Sequence, residues 1–279
     1  MTIRELYNNL SCFFKKNCDG FCDAEVEYII SEALGIKRLD VLAFPDKIVS
    51  DSNIKKTYEF AKKRAKKIPL SWIFKKHNFC GMEIIIDTGV FVPRPETEDL
   101  AQMVLEYSFK IEKPIILDFC SGSGAIGLYI AFKNQNANVF AIEKLKKSYR
   151  IAIENKKKMK LQNYFCVNSD KLNYFTRKFD IIVSNPPYVP SYMYDSLPDD
   201  VKIEPKSALI SGNDGLLMIK HLAINAKDVL KKGGVLFVEV GEYYSDKLIK
   251  IFKLPFIKEF QIIKDYNNKD RYIKAVYNG

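Results

Sequence analysis

At 279 residues the chain is long enough for two domains, each with its own core. Its 47% hydrophobic and 28% charged residues are those of an ordinary globular protein, and no apolar run approaches the roughly 18 residues of a membrane helix. The net charge of +10 suits an acidic partner, nucleic acid or ribonucleoprotein among them, and says nothing about fold. Six cysteines form no Cys-x-x-Cys pair and only His77 and His221 accompany them, so no metal site is expected. "MTIRELYNNLSCFFKK" lacks the apolar centre of a signal peptide. The expectation is a soluble, cytoplasmic protein with free thiols.

Residues 1 to 75 read as helices. In "DAEVEYIISEALG", Val26, Ile29, Ile30, Ala33 and Leu34 share one helical face, with Asp23 placed for the N-cap and Gly35 for the C-terminal stop. "DSNIKKTYEFAKKRAKKIP" repeats the pattern with Ile54, Tyr58, Ala61 and Ala65, ending at Pro69. Its other face carries Lys55, Lys56, Lys62, Lys63, Arg64, Lys66 and Lys67, either a docking face for an acidic partner or a solvated one. Residues 76 to 95, with "HNFCGMEIIIDTGVFV", read as a β-hairpin linker around Gly81 and Gly89.

From residue 96 onwards a third region begins, and from about 113 its rhythm is strand, turn, helix, strand. "KPIILDF" is a strand, "CSGSGAIGLYIAFKN" a turn entering a helix, and "NVFAIE" the next strand. Helix "LKKSYRIAIENKKKMK", strands "YFCVN" and "FDIIVSN", helix "GLLMIKHLAINAKDVLKK" and strand "GVLFVEVG" follow. This alternation predicts a doubly wound α/β domain with a mainly parallel sheet, whose ligands bind beyond the carboxyl ends of the strands.

The first strand ends in Asp118 and a turn holding Gly122 and Gly124, and Glu143 closes the next strand about 20 residues on. Small residues let backbone approach a ligand, and the following helix offers free N–H groups. An acid at position 143 suits a ribose diol. A dinucleotide and S-adenosylmethionine both fit such an acid, and Gly122-Ser123-Gly124-Ala125-Ile126-Gly127 matches G-x-G-x-x-G. An aspartate four residues before the first glycine favours the cationic sulfonium over a pyrophosphate.

"KFDIIVSNPPYVP" then ends a strand on Asn185, Pro186, Pro187 and Tyr188. Two prolines remove two backbone donors and leave carbonyl acceptors at fixed φ. Asn185 adds a side-chain carbonyl and Tyr188 a flat ring. Together they suit a planar NH2 group gripped through both hydrogens. Such a nitrogen is a poor nucleophile, so orientation and charge matching must supply much of the rate.

Asn-Pro-Pro-Tyr in this place resembles the signature of S-adenosylmethionine-dependent amino-group methyltransferases of DNA, RNA and protein. "FVPRPETEDL", "VKIEPKSALISGNDGL", "VEVGEYYSD" and "DYNNKDRYIKA" resemble ordered segments of one branch, the release factor glutamine methyltransferases of the HemK/PrmC family. The resemblance covers nearly the whole chain. It implies a Rossmann-like class I methyltransferase sheet of seven mostly parallel strands, with a small all-α N-terminal substrate-docking domain (1–75), the hairpin linker (76–95) and the methyltransferase domain (96–279). It implies S-adenosyl-L-methionine as cofactor, S-adenosyl-L-homocysteine as product, and transfer to the glutamine N5 of a release factor's Gly-Gly-Gln loop. A ribosomal-protein glutamine is the alternative substrate, a DNA or RNA base a further one. Direct nucleic-acid binding and membrane attachment are not expected.

Carried over by position, the resemblance puts Asp118, Cys120, Ser121, Gly122, Ser123 and Gly124 at the methionine part of the cofactor. Glu143 takes the ribose, and Asp170 and Lys171 the adenine. Asn185, Pro186 and Tyr188 carry catalysis, with Asn185 also near the transferred methyl. Asn185, Pro186, Pro187 and Tyr188 bind the substrate amide, and Arg94 and Glu96 brace or border the pocket. Glu204 and Glu239 read as architectural. Cys120, Lys75 and Asn268 stand where the family has glycine, and Tyr244 falls near its usual glutamine.

Overall fold

The computed structural model describes residues 1–18, 22–242 and 244–278, which fall into two units, Met1–Lys75 and Lys76–Gly279. Helices α1 (Ile3–Asn17), α2 (Asp23–Leu34), α3 (Arg38–Ala43), α4 (Asp51–Ala65) and α5 (Leu70–Phe74) make up the first unit. Thr2 and Glu5 close a capping box at the start of α1. Ile3, Leu6, Leu10 and Phe14 of α1 then meet Val26, Ile29 and Ile30 of α2 in one apolar cluster. The α2 cap position is occupied by Cys22, without a side-chain bond; Asp23 is instead the first helical residue, where the helix dipole favours its charge. Gly35 stops α2 in the left-handed conformation, φ 67°. On α4, Arg64 pairs with Glu25 at 2.9 Å and Lys56 donates to the Ala33 carbonyl. Lys55, Lys62, Lys63 and Lys66 stand exposed.

The second unit begins with a hairpin of β1 (Lys76–Phe79) and β2 (Met82–Ile85), turning through Cys80 and Gly81, both at positive φ. It continues through α6 (Pro95–Ser108), β3 (Ile115–Phe119), α7 (Ala125–Lys133), β4 (Asn138–Glu143), α8 (Lys146–Lys158), β5 (Tyr164–Asn168) and β6 (Phe179–Ser184). Short helices α9 (Asp199–Lys202) and α10 (Lys206–Leu209), then α11 (Leu217–Asn225), β7 (Leu230–Glu239), α12 (Ser245–Phe252), β8 (Ile257–Lys264) and β9 (Asp270–Tyr277) complete it. The sequence reading carried α11 through Lys232. The helix stops at Asn225 because Leu230 is needed as a buried strand partner of Phe179, while Lys231 pairs with Asp180 at 2.8 Å.

Seven strands form one sheet in the order β5-β4-β3-β6-β7-β9-β8, parallel from β5 to β7 and antiparallel across β9. The chain runs outward from β3 to β5, then returns to lay β6 on the other side of β3. That reversal makes a crevice at the carboxyl ends of β3 and β6. Alternation along β3 decides what each residue sees. Leu117 and Phe119 join the cluster that holds α11 and α12. Asp118 faces α7 on the opposite side, where it accepts from the Gly127 backbone N–H at 2.9 Å.

Candidate active site

The loop after β3 turns by taking three residues into left-handed backbone: Cys120 (φ 62°), Gly122 (58°) and Gly124 (84°). Two glycines make room for the elements behind it. A Cβ at Gly124 would sit 2.8 Å from the Tyr164 hydroxyl, and one at Gly127 would sit 2.8 Å from Asp118 Oδ2. The helix can therefore pack on β3 and β5 closely enough for its N-terminus to meet the crevice. Glu143, at the end of β4, accepts from Gly122 N–H at 2.7 Å and from Leu145 N–H at 2.6 Å, one per oxygen. Burial raises its carboxyl above the usual range. The Ser184 hydroxyl donates to the Phe119 carbonyl at 2.6 Å and ties the ends of β6 and β3 together.

Across the crevice, Asn185 Nδ2 donates to Thr97 Oγ1 at 2.8 Å, and Thr97 donates in turn to Glu239 Oε2 at 2.8 Å. The Tyr188 hydroxyl donates to Glu239 Oε1 at 3.2 Å. The Tyr244 hydroxyl donates to the Tyr188 carbonyl at 3.1 Å. Gly215 and Gly241 clear the space for that contact, since a Cβ at either would overlap the Tyr244 side chain. Thr97 lies in the first turn of α6, a helix opened by Pro95 at its first position. Glu239 ends β7. Both are buried, at 3% and 1% exposure. Burial pushes the Glu239 carboxyl up to about 7, and burial followed by the Glu239 charge holds the Tyr188 hydroxyl protonated far above its usual range. No hydrogen bond among the described residues occupies the carbonyl of Asn185, Pro186 or Pro187.

These two sides enclose a cavity of 490 Å³, of the size small-molecule sites take. Of the residues singled out in the sequence, Cys120, Gly122, Glu143, Asp170, Arg94, Asn185, Pro186, Pro187 and Tyr188 reach its wall. Arg94 stacks over Phe91 and binds the buried Glu204 at 2.6 Å. The others stand back from it. Asp118 is fully buried and directed at α7, its carboxyl pushed up to about 7 by burial. Ser121, Ser123 and Gly124 belong to the turn's far side, and the Ser123 carbonyl accepts from Asn155 at 3.1 Å. Lys171 is exposed, and Glu96 gives its backbone carbonyl to the Tyr272 hydroxyl at 2.8 Å. Sequence reasoning missed Thr97, Leu209, Met218 and His221; the last stacks on Phe119 and lines the cavity with Leu209 and Met218. Only the position of Thr97 inside "PRPETE" held a signal that would have found it.

Residues 81–195 match the model of the methyltransferase small domain, and residues 5–74 that of the PrmC N-terminal domain. The release factor glutamine methyltransferase of Clostridium acetobutylicum is 30% identical over 284 residues, covering all of both chains. The chain belongs to the release factor glutamine methyltransferase family. Another member, from Clostridium botulinum, is 33% identical across 94% of each chain. Among solved structures this family member shares its fold with the T. thermophilus 16S rRNA N2 G1207 methyltransferase, crystallised with AdoMet and guanosine. The two are 20% identical at a TM-score of 0.51, over 73% of this chain and 50% of that one.

Proposed function

We propose that the cavity binds S-adenosyl-L-methionine and that the chain methylates the side-chain nitrogen of the glutamine in a release factor's Gly-Gly-Gln loop. The observation that carries this is the polarity of the Asn185 amide. Its NH2 is committed to Thr97, so its Oδ1 is the end left for a ligand. That acceptor stands beside two prolines without N–H groups and within the same cavity as Glu143. The donor set fits the cofactor. Each Glu143 oxygen accepts one backbone N–H and keeps a lone pair that would take a ribose hydroxyl, and the positive-φ loop from Cys120 to Gly124 offers backbone that would hold the methionine part. Asp170 borders the adenine end. Asp118 acts from behind, by holding the α7 N-terminus through Gly127.

When bound, the cofactor supplies a methyl group made electrophilic by its sulfonium charge. The chain's own contribution is to aim the nucleophile. Asn185 Oδ1 and the Pro186 carbonyl would accept the two amide hydrogens, which holds the NH2 plane fixed. As the nitrogen lone pair bonds the methyl, the S–CH3 bond pair stays on sulfur and one of those hydrogens leaves nitrogen as a proton to water. Tyr188 flanks that plane. Arg94, held by Glu204 and Phe91, borders the substrate's approach. The helical unit of residues 1–75 docks the factor, and this substrate places the reaction in the cytoplasm.

The test is uptake of labelled methyl by an intact release factor and by the same factor with its Gly-Gly-Gln glutamine replaced. Uptake by the first only is expected. Uptake by both, or by ribosomal protein or RNA with neither factor labelled, would overturn the assignment.

A further inference from the structure

Glu239 is costly where it stands. A carboxylate at 1% exposure loses its hydration, and its two bonded partners are hydroxyls. Arg271, whose charge favours it, hydrogen-bonds Asp265 at 3.2 Å instead. A glutamine would fill the same space at lower cost, so the feature to explain is a group that can give up its proton and then only accept. An ionised carboxylate differs from an amide in one relevant way: it only accepts. It therefore forces the proton of Thr97 towards itself, which leaves the Thr97 oxygen as an acceptor for Asn185. Were the Asn185 amide to turn over, its Oδ1 would face an oxygen whose only proton is already committed. The NH2 end must point at Thr97, and the carbonyl end away from it.

We infer that Glu239 is a positioning residue that sets the hydrogen-bond polarity of the active site, acting through Thr97 on the Asn185 amide and directly on the Tyr188 hydroxyl. This rests on the methyl-transfer reading above. Tyr244 completes the support by fixing the Tyr188 carbonyl from the other side. The relay is assembled from α6, β7 and the turn after β6, so the stiffness of the sheet is passed to a residue that lies one position beyond a strand end. Replacing Glu239 by its isostere restores a donor at the head of the relay. Thr97 can then accept from position 239 and donate to Asn185, and the amide turns its NH2 towards the incoming NH2 of the substrate. Two donors then face each other where the reaction needs an acceptor.

The experiment compares wild type, Glu239→Gln, Thr97→Val, the double variant and Thr97→Ser. It reads the kcat for methyl transfer to release factor, cofactor affinity, and the side-chain NH2 resonances of Asn185 by NMR. Glu239→Gln and Thr97→Val are each expected to lower kcat by about 10- to 100-fold with cofactor affinity within about 3-fold. The double variant should lose no more than the worse single one, because both act on one relay. Thr97→Ser, which keeps the hydroxyl, should recover most of what Thr97→Val loses. The Asn185 NH2 resonances should shift in Glu239→Gln. Unchanged resonances in that variant, or multiplicative losses in the double variant, overturn the inference. If wild type labels no release factor the assigned substrate fails, while the resonances still decide whether Glu239 orients Asn185.

Discussion

The two walls of the cavity are built by opposite means. The loop after β3 owes its shape to backbone, with three left-handed residues in five and two glycines against which Tyr164 and Asp118 pack. The turn after β6 owes its shape to side chains that arrive from elsewhere. Thr97 lies 88 residues from Asn185, and Glu239 lies 51 from Tyr188. A backbone-built wall is encoded where it stands and tolerates little added volume. A relay-built wall is spread over the chain, and single atoms can change it without disturbing the fold.

The sharpest way to break this contrast is at its two most committed positions. Asn185→Ala should lower kcat by about 10³-fold and leave cofactor affinity within a few-fold, since the acceptor is lost and the other wall is untouched. Equilibrium binding and steady-state rates check this; a large loss of cofactor affinity would show the walls are not separable. Gly127→Ala should strike the fold behind the other wall. Its new methyl meets Asp118 Oδ2 and Tyr164 at 2.8 Å and Val139 at 3.1 Å, all packed, so the fold should lose about 1–3 kcal/mol in urea titration. Unchanged stability there would mean that α7 is free to slide.

Titration reaches a buried carboxyl behind each wall. Glu239 is raised to about 7 from 4.5 and Asp118 to about 7 from 3.8, burial being the main cause in both. The folded state then holds protons that the unfolded state has released between about pH 4 and 7. This contribution to stability is complete below the unfolded values and is lost as pH rises through about 7. Activity should run the other way, because the relay needs Glu239 ionised, so kcat should fall as pH drops through about 7. The groups that act on Glu239 in that range are the hydroxyls of Thr97 and Tyr188, Arg271 and Glu96, with Tyr272 on the neighbouring strand. Thermal unfolding at about pH 5 and pH 8 should show wild type losing more stability than Glu239→Gln across that interval. An equal loss in both would remove Glu239 from the account.

The smallest effect belongs to Cys120, a non-glycine side chain held at φ 62°. Cys120→Gly should relieve that backbone and gain about 0.5–1 kcal/mol, with cofactor affinity within about 3-fold. A loss in thermal unfolding would show that the thiol's packing against the α11 and α12 cluster outweighs the strain.

The same contrast explains what the sequence revealed. Gly122, Glu143 and Asn185 to Tyr188 were legible as residues of the cavity wall because strand, turn and helix signals sit within a few residues of each. The five parallel strands followed from the same alternation, since buried parallel strands are apolar throughout. The count of seven came only with the family resemblance, the antiparallel β8 and β9 having no such signal. Asp118 was legible as important and illegible in direction. Only the pleat of β3, which turns Phe119 to the cavity and Asp118 to α7, separates lining from support. Thr97 and Glu239 were read as parts of family segments, and nothing local says that the two touch. The end of α11 was misjudged because Lys-rich sequence favours helix, while Leu230 is recruited by a strand about 50 residues earlier.

The most direct measurement of the central claim is tandem mass spectrometry of a release factor after reaction with the chain and S-adenosyl-L-methionine. The account predicts one added methyl, located on the side-chain nitrogen of the Gly-Gly-Gln glutamine and absent when Asn185→Ala replaces wild type. A methyl on any other atom, or the same modification from the Asn185→Ala variant at an undiminished rate, would contradict it.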